Sequence, residues 1–418
     1  MDRAQFQKLY HDYERGRIDR RTFLKASGLG MAAAILAACV PSGSQQSAAP
    51  TSGATAVPPT AGSTTGPTAA ATKAPIADWV PPTGVDLGSE LHLTTWPSYH
   101  NQEVLDKFTQ LTGVAIIREE YGSNEEMLAK LQVGSTGWDV LVPTNYTFET
   151  DGQLGLLEVL DLAKIPSFDA SRYEARFLEP AHYPAGSSNL LGFSKDWGTT
   201  GYVVNTKQVT TPMTTWKDYF DRTQTDLSGK VTIHDYQLTA IGAALKYHGY
   251  SFNSVDPNEL AKAEEVLLAT ATHFQGITSV YQPPMRAGDA WVAMAWTGDA
   301  VQLNRDIPEI KYVIAAEGGE IWSDFYAVIK TAPNKAAAYA FLDYMANPKV
   351  MAKDAEFHGY PIVDSAGIEL LPASFTSNPI IYPDPKLLTP LEFGAAVTLT
   401  NKDRADIWNR VKIKAAGG

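Results

Sequence analysis

Between residues 91 and 143 the hydrophobic period alternates between strand-like and helix-like, and that alternation constrains the fold more than any other feature of the chain. Leu91, Leu93 and Thr95 alternate as a strand that ends at Trp96. Asn101 is placed to cap a helix whose Val104, Leu105, Phe108 and Leu111 share one face, and Gly113 closes it. A second strand follows over 114–117. Ser123-Asn124-Glu125-Glu126 reads as a capping box before a helix with Met127, Leu128 and Leu131 inward. Residues 138–142 form a third strand, apolar apart from Asp139, ending at Pro143. A strand–helix–strand–helix–strand series of this kind predicts an α/β architecture with a mainly parallel sheet and helices on both faces. Ligands of open sheets bind beyond the carboxyl ends of the strands. Trp96, Tyr99, Thr144 and Tyr146 all lie there.

A second unit starts at Gly201-Tyr202-Val203-Val204-Asn205. It contains a strand over 230–233, helices over 239–248 and 258–272, and strands over 312–315 and 325–329 on either side of Gly318-Gly319. An Ala-rich helix follows over 334–344. With 418 residues, 44% hydrophobic and 19% charged, the chain can bury a large core, most naturally as two domains.

The single cysteine, Cys39, allows no intramolecular disulfide and no cysteine-based metal site. Arg20-Arg21-Thr22-Phe23-Leu24-Lys25 resembles a twin-arginine export signal, with Asp19 where Ser or Thr is usual. An apolar stretch from Leu29 to Ile35 and then Leu36-Ala37-Ala38-Cys39 follow, and the last four look like a lipobox. Residues 1–39 therefore read as an export signal with Cys39 as the lipidation site. Residues 40–86 are Ser, Thr, Ala, Pro and Gly with few large apolar groups, a composition that predicts a disordered tether. The expected location is the periplasm or cell surface, anchored to the membrane.

The formal net charge of −12 opposes a nucleic-acid partner and suits a cationic ligand. There is no Gly-x-Ser-x-Gly elbow and no His-Glu-x-x-His, and Gly229-Lys230 continues into Val231 rather than a phosphate loop. No metal, cofactor or catalytic residue is expected. His234, His248 and His358 read as surface or loop residues, and Trp138 and Trp291 as core. Trp296-Thr297-Gly298-Asp299 and Trp322-Ser323-Asp324 each put an indole within a few residues of a carboxylate. An aromatic face attracts an ammonium by about 0.5–2 kcal/mol, and a carboxylate adds a charge-assisted hydrogen bond. The pairing points to a small organic cation.

These segments, with Trp96-Pro97-Ser98-Tyr99, Trp138-Asp139-Val140-Leu141-Val142-Pro143, Trp197-Gly198-Thr199-Thr200-Gly201 and His358-Gly359-Tyr360-Pro361, resemble the spermidine/putrescine-binding proteins of ABC importers over residues 89–418. The resemblance implies a two-lobed periplasmic-binding-protein-like fold with a hinge. Lobe one would hold 87–200 and 323–366, and lobe two 201–322 and 367–418. Trp96, Tyr99, Thr144 and Tyr146 would line lobe one, and Trp296 and Asp299 would face them. Trp322 and Asp324 would sit at the crossing, with Tyr360 closing one side. An acidic pair usual in the family falls here on Tyr236 and Thr239, and a glutamine-type residue is replaced around Gly394. That departure favours a putrescine-like diamine, or a cation with one uncharged end, over spermidine. The implied partners are the amine, an ABC permease and a lipid anchor, with the protein a monomer. The competing readings are a binding protein for a neutral, sugar-type solute, an extracytoplasmic hydrolase using Asp299 and Asp324 as acid and base, and an input subunit for a membrane sensor.

Overall fold

A computed structural model of the chain describes residues 76–134 and 137–417. The export signal, Cys39 and most of the expected tether lie outside the described residues. The tether was expected to run to 86; most of 76–86 is exposed, but the chain is anchored at residues 77–79. Trp79 is buried against Phe108 and Tyr344, and its indole N–H donates to Asp343 at 2.7 Å. One large aromatic ring with a satisfied polar tip outweighs the low hydrophobicity of its neighbours.

The strand–helix alternation is present. β1 (Glu90–Thr95), α1 (Gln102–Thr112), β2 (Ala115–Glu120), α2 (Asn124–Gln132) and β3 (Val140–Leu141) follow in order, and both β2 and β3 pair parallel with β1. Asn101 caps α1 by accepting the Glu103 N–H, and Gly113 ends it at φ 77°, which a residue with a Cβ rarely adopts. Ser123 caps α2 by accepting from Glu126, whose own carboxylate reaches back to the N–H of Gly122 at 2.9 Å. β3 is shorter than expected because the buried carboxylate of Asp139 takes the backbone N–H groups of His92 (2.8 Å) and Asn334 (2.7 Å).

The rest of the chain adds β4 (Gly192–Asn205), α3 (Trp216–Thr223), β5 (Val231–Ile233), α4 (Gln237–Tyr247), α5 (Pro257–Thr270), β6 (Gly276–Ile277) and β7 (Val292–Trp296). Then come α6 (Thr297–Asp306), β8 (Ile310–Val313), β9 (Gly319–Val328), α7 (Lys335–Ala346), α8 (Pro348–His358), β10 (Leu391–Phe393) and α9 (Lys402–Ala415). The sheet order is β2-β1-β3-β9-β4-β7-β5-β6, with β10 beside β9 and β8 beside β4. Pairing is parallel toward both ends and antiparallel at the centre, where β3, β9, β4 and β7 adjoin.

β4 and β9 are buried along their whole length. The first half of β4 pairs with β9, and its second half with β7 and β8. The two strands thus run between separate cores. One core gathers Leu93, Phe108, Val140, Phe325, Phe341 and Tyr344. A second gathers Trp216, Tyr219, Ile241, Leu267 and Trp408, and a third, with Tyr281, Met285 and Leu303, covers other residues of the same half. Leu371, Phe375 and Ile381 belong to the first core, although 367–418 was expected in lobe two. The chain stays on the first half because Tyr382 packs on Phe375 and Trp197 (ring centroids 6.3 and 6.4 Å apart) and its hydroxyl meets the Ile362 N–H. It joins the second half through β10 and α9, whose Ile407, Trp408 and Val411 are buried there.

Candidate functional site

β4 and β9 build the floor of the site. Antiparallel register sets Asp196 opposite Asp324, Gly198 opposite Trp322 and Thr200 opposite Glu320, and alternate residues of a strand share a face. Gly198 is required at its position: a Cβ there would lie 2.4 Å from the Trp322 ring, which rests over the floor.

Asp324 is the centre. Thr144 donates to one of its oxygens at 2.6 Å, and the Tyr99 hydroxyl lies 2.8 Å from the other. The same hydroxyl donates to Asp196. Three oxygens in a row need two protons for two hydrogen bonds, and the tyrosine has one. Burial, and then the nearby Asp196, push the Asp324 carboxyl up to about 7. Burial raises Asp196 as well, but Lys195 Nζ, 2.8 Å away, opposes it. The extra proton therefore belongs to Asp324, and an arriving cation can take its place.

Lys195 also lies 3.2 Å from Asp354 and 4.1 Å from the centroid of the Tyr99 ring. Burial works against its charge, but Asp196 and Asp354 more than offset this and raise it. One face of Tyr99 is thus already occupied, and Tyr99 acts on Asp324 through its hydroxyl. Sequence reasoning missed Lys195, Asp196 and Asp354. The available signal was two adjacent opposite charges inside a strand between Phe193 and Trp197.

The other expected residues divide into two groups. Tyr360 sits against Tyr99 (5.6 Å), Trp322 (5.2 Å) and Gly298, and its hydroxyl, raised by burial, also feels Asp299, Asp196 and Asp324. Asp299 and Asp324 therefore converge on one neighbourhood. Asp299, at the start of α6, is raised by burial and accepts from Tyr281 and Gln282. Trp96 lies on Tyr121 at 4.6 Å, and Trp296 lies on His234 at 4.1 Å. The indole N–H groups of Trp96 and Trp322 are buried without a partner, an arrangement that normally calls for explanation.

Tyr146, Tyr236 and Thr239 make no direct hydrogen bond to Asp324, whose partners are Thr144 and Tyr99. The Asn124 amide donates to Thr144 (3.0 Å), Tyr146 (2.8 Å) and Tyr236 (3.4 Å), joining the two halves. Tyr146 packs with Leu128, Leu238, Phe252 and Leu399. Thr239 is fully buried, its hydroxyl held by the Tyr236 carbonyl and His234. His234 and His358 are not surface residues: both are buried, and burial holds both neutral, His234 down at about 3. Their rings fill space behind Trp296 and Tyr99. Of the two tryptophans expected in the core, Trp138 is buried and Trp291 packs partly exposed on the second core. Among the described residues no group of three His, Cys, Asp or Glu is placed to hold a metal, and no helix is long and apolar enough to cross a membrane.

Comparison with known proteins places the chain among extracellular solute-binding proteins. The chain is 28% identical over 340 residues to the putrescine-binding periplasmic protein SpuD of Pseudomonas aeruginosa, covering 77% of this chain and 91% of that one. It is 28% identical over 302 residues to the spermidine/putrescine-binding periplasmic protein of Escherichia coli, covering 72% and 84%. Among solved structures, the spermidine/putrescine ABC transporter substrate-binding protein PotD of Streptococcus pneumoniae superposes with a TM-score of 0.66 at 26% identity, covering 78% of this chain and 100% of that one. The family model of the bacterial extracellular solute-binding proteins matches residues 103–381, and the chain belongs to that family.

Proposed function

We propose that this chain captures a polyamine outside the cytoplasm, holds it between two lobes that close on a hinge, and delivers it to an ABC importer without chemical change. The observation that carries this reading is Asp324. It is a buried carboxyl on the strand between the two halves, held by Thr144 and Tyr99 and roofed by Trp322 and Tyr360. A carboxylate removed from water is costly until an opposite charge arrives, so the site favours an ammonium over a neutral sugar. The relatives named above, which bind putrescine and spermidine by name, support the same ligand class. Asp299 adds negative charge at the Tyr360 side, and Trp96 and Trp296 supply further ring faces. Lobe one would comprise 76–200 and 323–382, and lobe two 201–322 and 383–417. Lipidation at Cys39 would tether a monomer to the membrane beside its permease.

Calorimetric titration tests the reading. A chain starting at residue 76, which keeps Trp79, should bind putrescine one-to-one, and Asp324→Asn should weaken binding about a hundredfold or more, the usual scale for losing one partner of a buried charge pair. Absence of binding across putrescine, cadaverine, spermidine and agmatine would refute it.

A further inference from the structure

Glu320 has no role in the site described so far. It lies on β9 two residues before Trp322 and four before Asp324, on the same face of the strand. It is buried, and Thr200 across the strand pair donates to one of its oxygens at 2.5 Å. The buried cation nearest in effect is Arg404, which attracts it from a distance. The Arg404 guanidinium donates instead to the carbonyls of Phe252, Ser254 and Leu238. Between the two carboxyls lies Trp322, with its unpartnered indole N–H. Tyr236 feels the charge of both Glu320 and Asp324, which stand on one face of β9.

We propose that Glu320 is the second anionic contact of the site and holds the distal ammonium of an α,ω-diamine whose proximal ammonium meets Asp324. The inference rests on the amine-binding reading above and adds the length selection. Four residues of strand separate the two Cα atoms by about 13 Å, and side chains standing side by side on one face keep their carboxyl groups at about the same spacing. The nitrogens of an extended four-carbon diamine are about 6 Å apart on ordinary bond lengths. With a charge-assisted hydrogen bond of about 2.8 Å at each end, such a ligand spans about 12 Å, laying its methylenes along Trp322. The nitrogens of an extended triamine with three- and four-carbon arms are about 11 Å apart, too long for the same two anchors. Glu320 thus supplies, from the floor strand, the charge that Tyr236 and Thr239 do not.

The test titrates the full chain, Glu320→Gln and Glu320→Asp with putrescine, cadaverine and n-butylamine, the last in competition with putrescine. Glu320→Gln should weaken putrescine about a hundredfold, as expected for a buried charge partner, and leave n-butylamine unchanged. Glu320→Asp, one methylene shorter, should raise the cadaverine-to-putrescine affinity ratio above the wild-type value. Unchanged putrescine binding in Glu320→Gln, or equal losses for putrescine and n-butylamine, would overturn the inference and leave amine capture standing. A wild-type chain that binds none of the three overturns both. If Glu320→Gln does not fold, the ratio in Glu320→Asp decides.

Discussion

Asp324 and Glu320 share an unusual state: burial raises each carboxyl to about 7, above the ordinary range near 4. Below that ordinary value both groups are protonated, folded or unfolded, and cost nothing. As pH rises from about 4 to 7, the unfolded chain loses these protons first, so their contribution to stability declines and levels off above 7. Through these two groups, the ligand-free protein should melt higher at pH 5.5 than at pH 8. A diammonium binds the ionised forms, so amine affinity should run the opposite way. It should fall about tenfold per pH unit below 7 for each carboxyl that must release a proton. Calorimetry at pH 6 in buffers of different ionisation enthalpy should register that release, and heats independent of the buffer would rule it out. Sequence spacing singled out Asp299 and Asp324 because each stands near a tryptophan. It passed over Asp196, Lys195 and Glu320, whose importance comes from partners across the strand pair. His234 and His358 misled for a related reason: an isolated imidazole in the sequence carries no sign of the rings that enclose it.

At the scale of elements, β4 and β9 do two jobs. They connect the cores and present the floor, so their small residues are functional. Gly198→Ala would push a methyl into the Trp322 ring. It should weaken putrescine binding about tenfold or more, within the range for overpacking a tight contact, and shift the tryptophan emission. Unchanged binding and emission would show that Trp322 has room to move. The start of α2 is a second such element. Asn124 links Thr144 and Tyr146 on one side to Tyr236 on the other, while Gln237 donates to Glu125 at 3.3 Å. Asn124→Ala should weaken amine binding mainly through a faster off-rate, since the bonds it removes tie Tyr236 to Thr144 and Tyr146. Stopped-flow release measurements check this, and a change confined to the on-rate would contradict it. The helices were legible before the structure because caps and apolar faces are local. Asn101, Gly113 and Ser123 all act where spacing put them. The length of β4 and β9 was not legible, since a fully buried strand shows no alternation.

For the whole molecule, Trp79 ties the start of the described chain to the first core. A chain cut after residue 86 loses its ring from the core and its bond to Asp343, and should be about 3–5 kcal/mol less stable to urea than one cut after residue 75, the usual cost of emptying a buried tryptophan site. Equal stability would place Trp79 outside the cooperative unit. The return of 371–381 to the first core has a similar origin, in contacts of Tyr382 with Phe375 and Trp197 that nothing in the local sequence announces. By itself the sequence determined the α/β alternation, the helix ends, the acidic character, and Trp322 with Asp324 as a pair worth watching, because periodicity, capping and residue chemistry act over a few positions. Only the tertiary structure decided that Asp196 stands opposite Asp324, that the Tyr99 hydroxyl bridges the two, and that Glu320 shares a strand face with Trp322 and Asp324. Those relations depend on the register of strands more than a hundred residues apart, and register is settled by packing of the whole body.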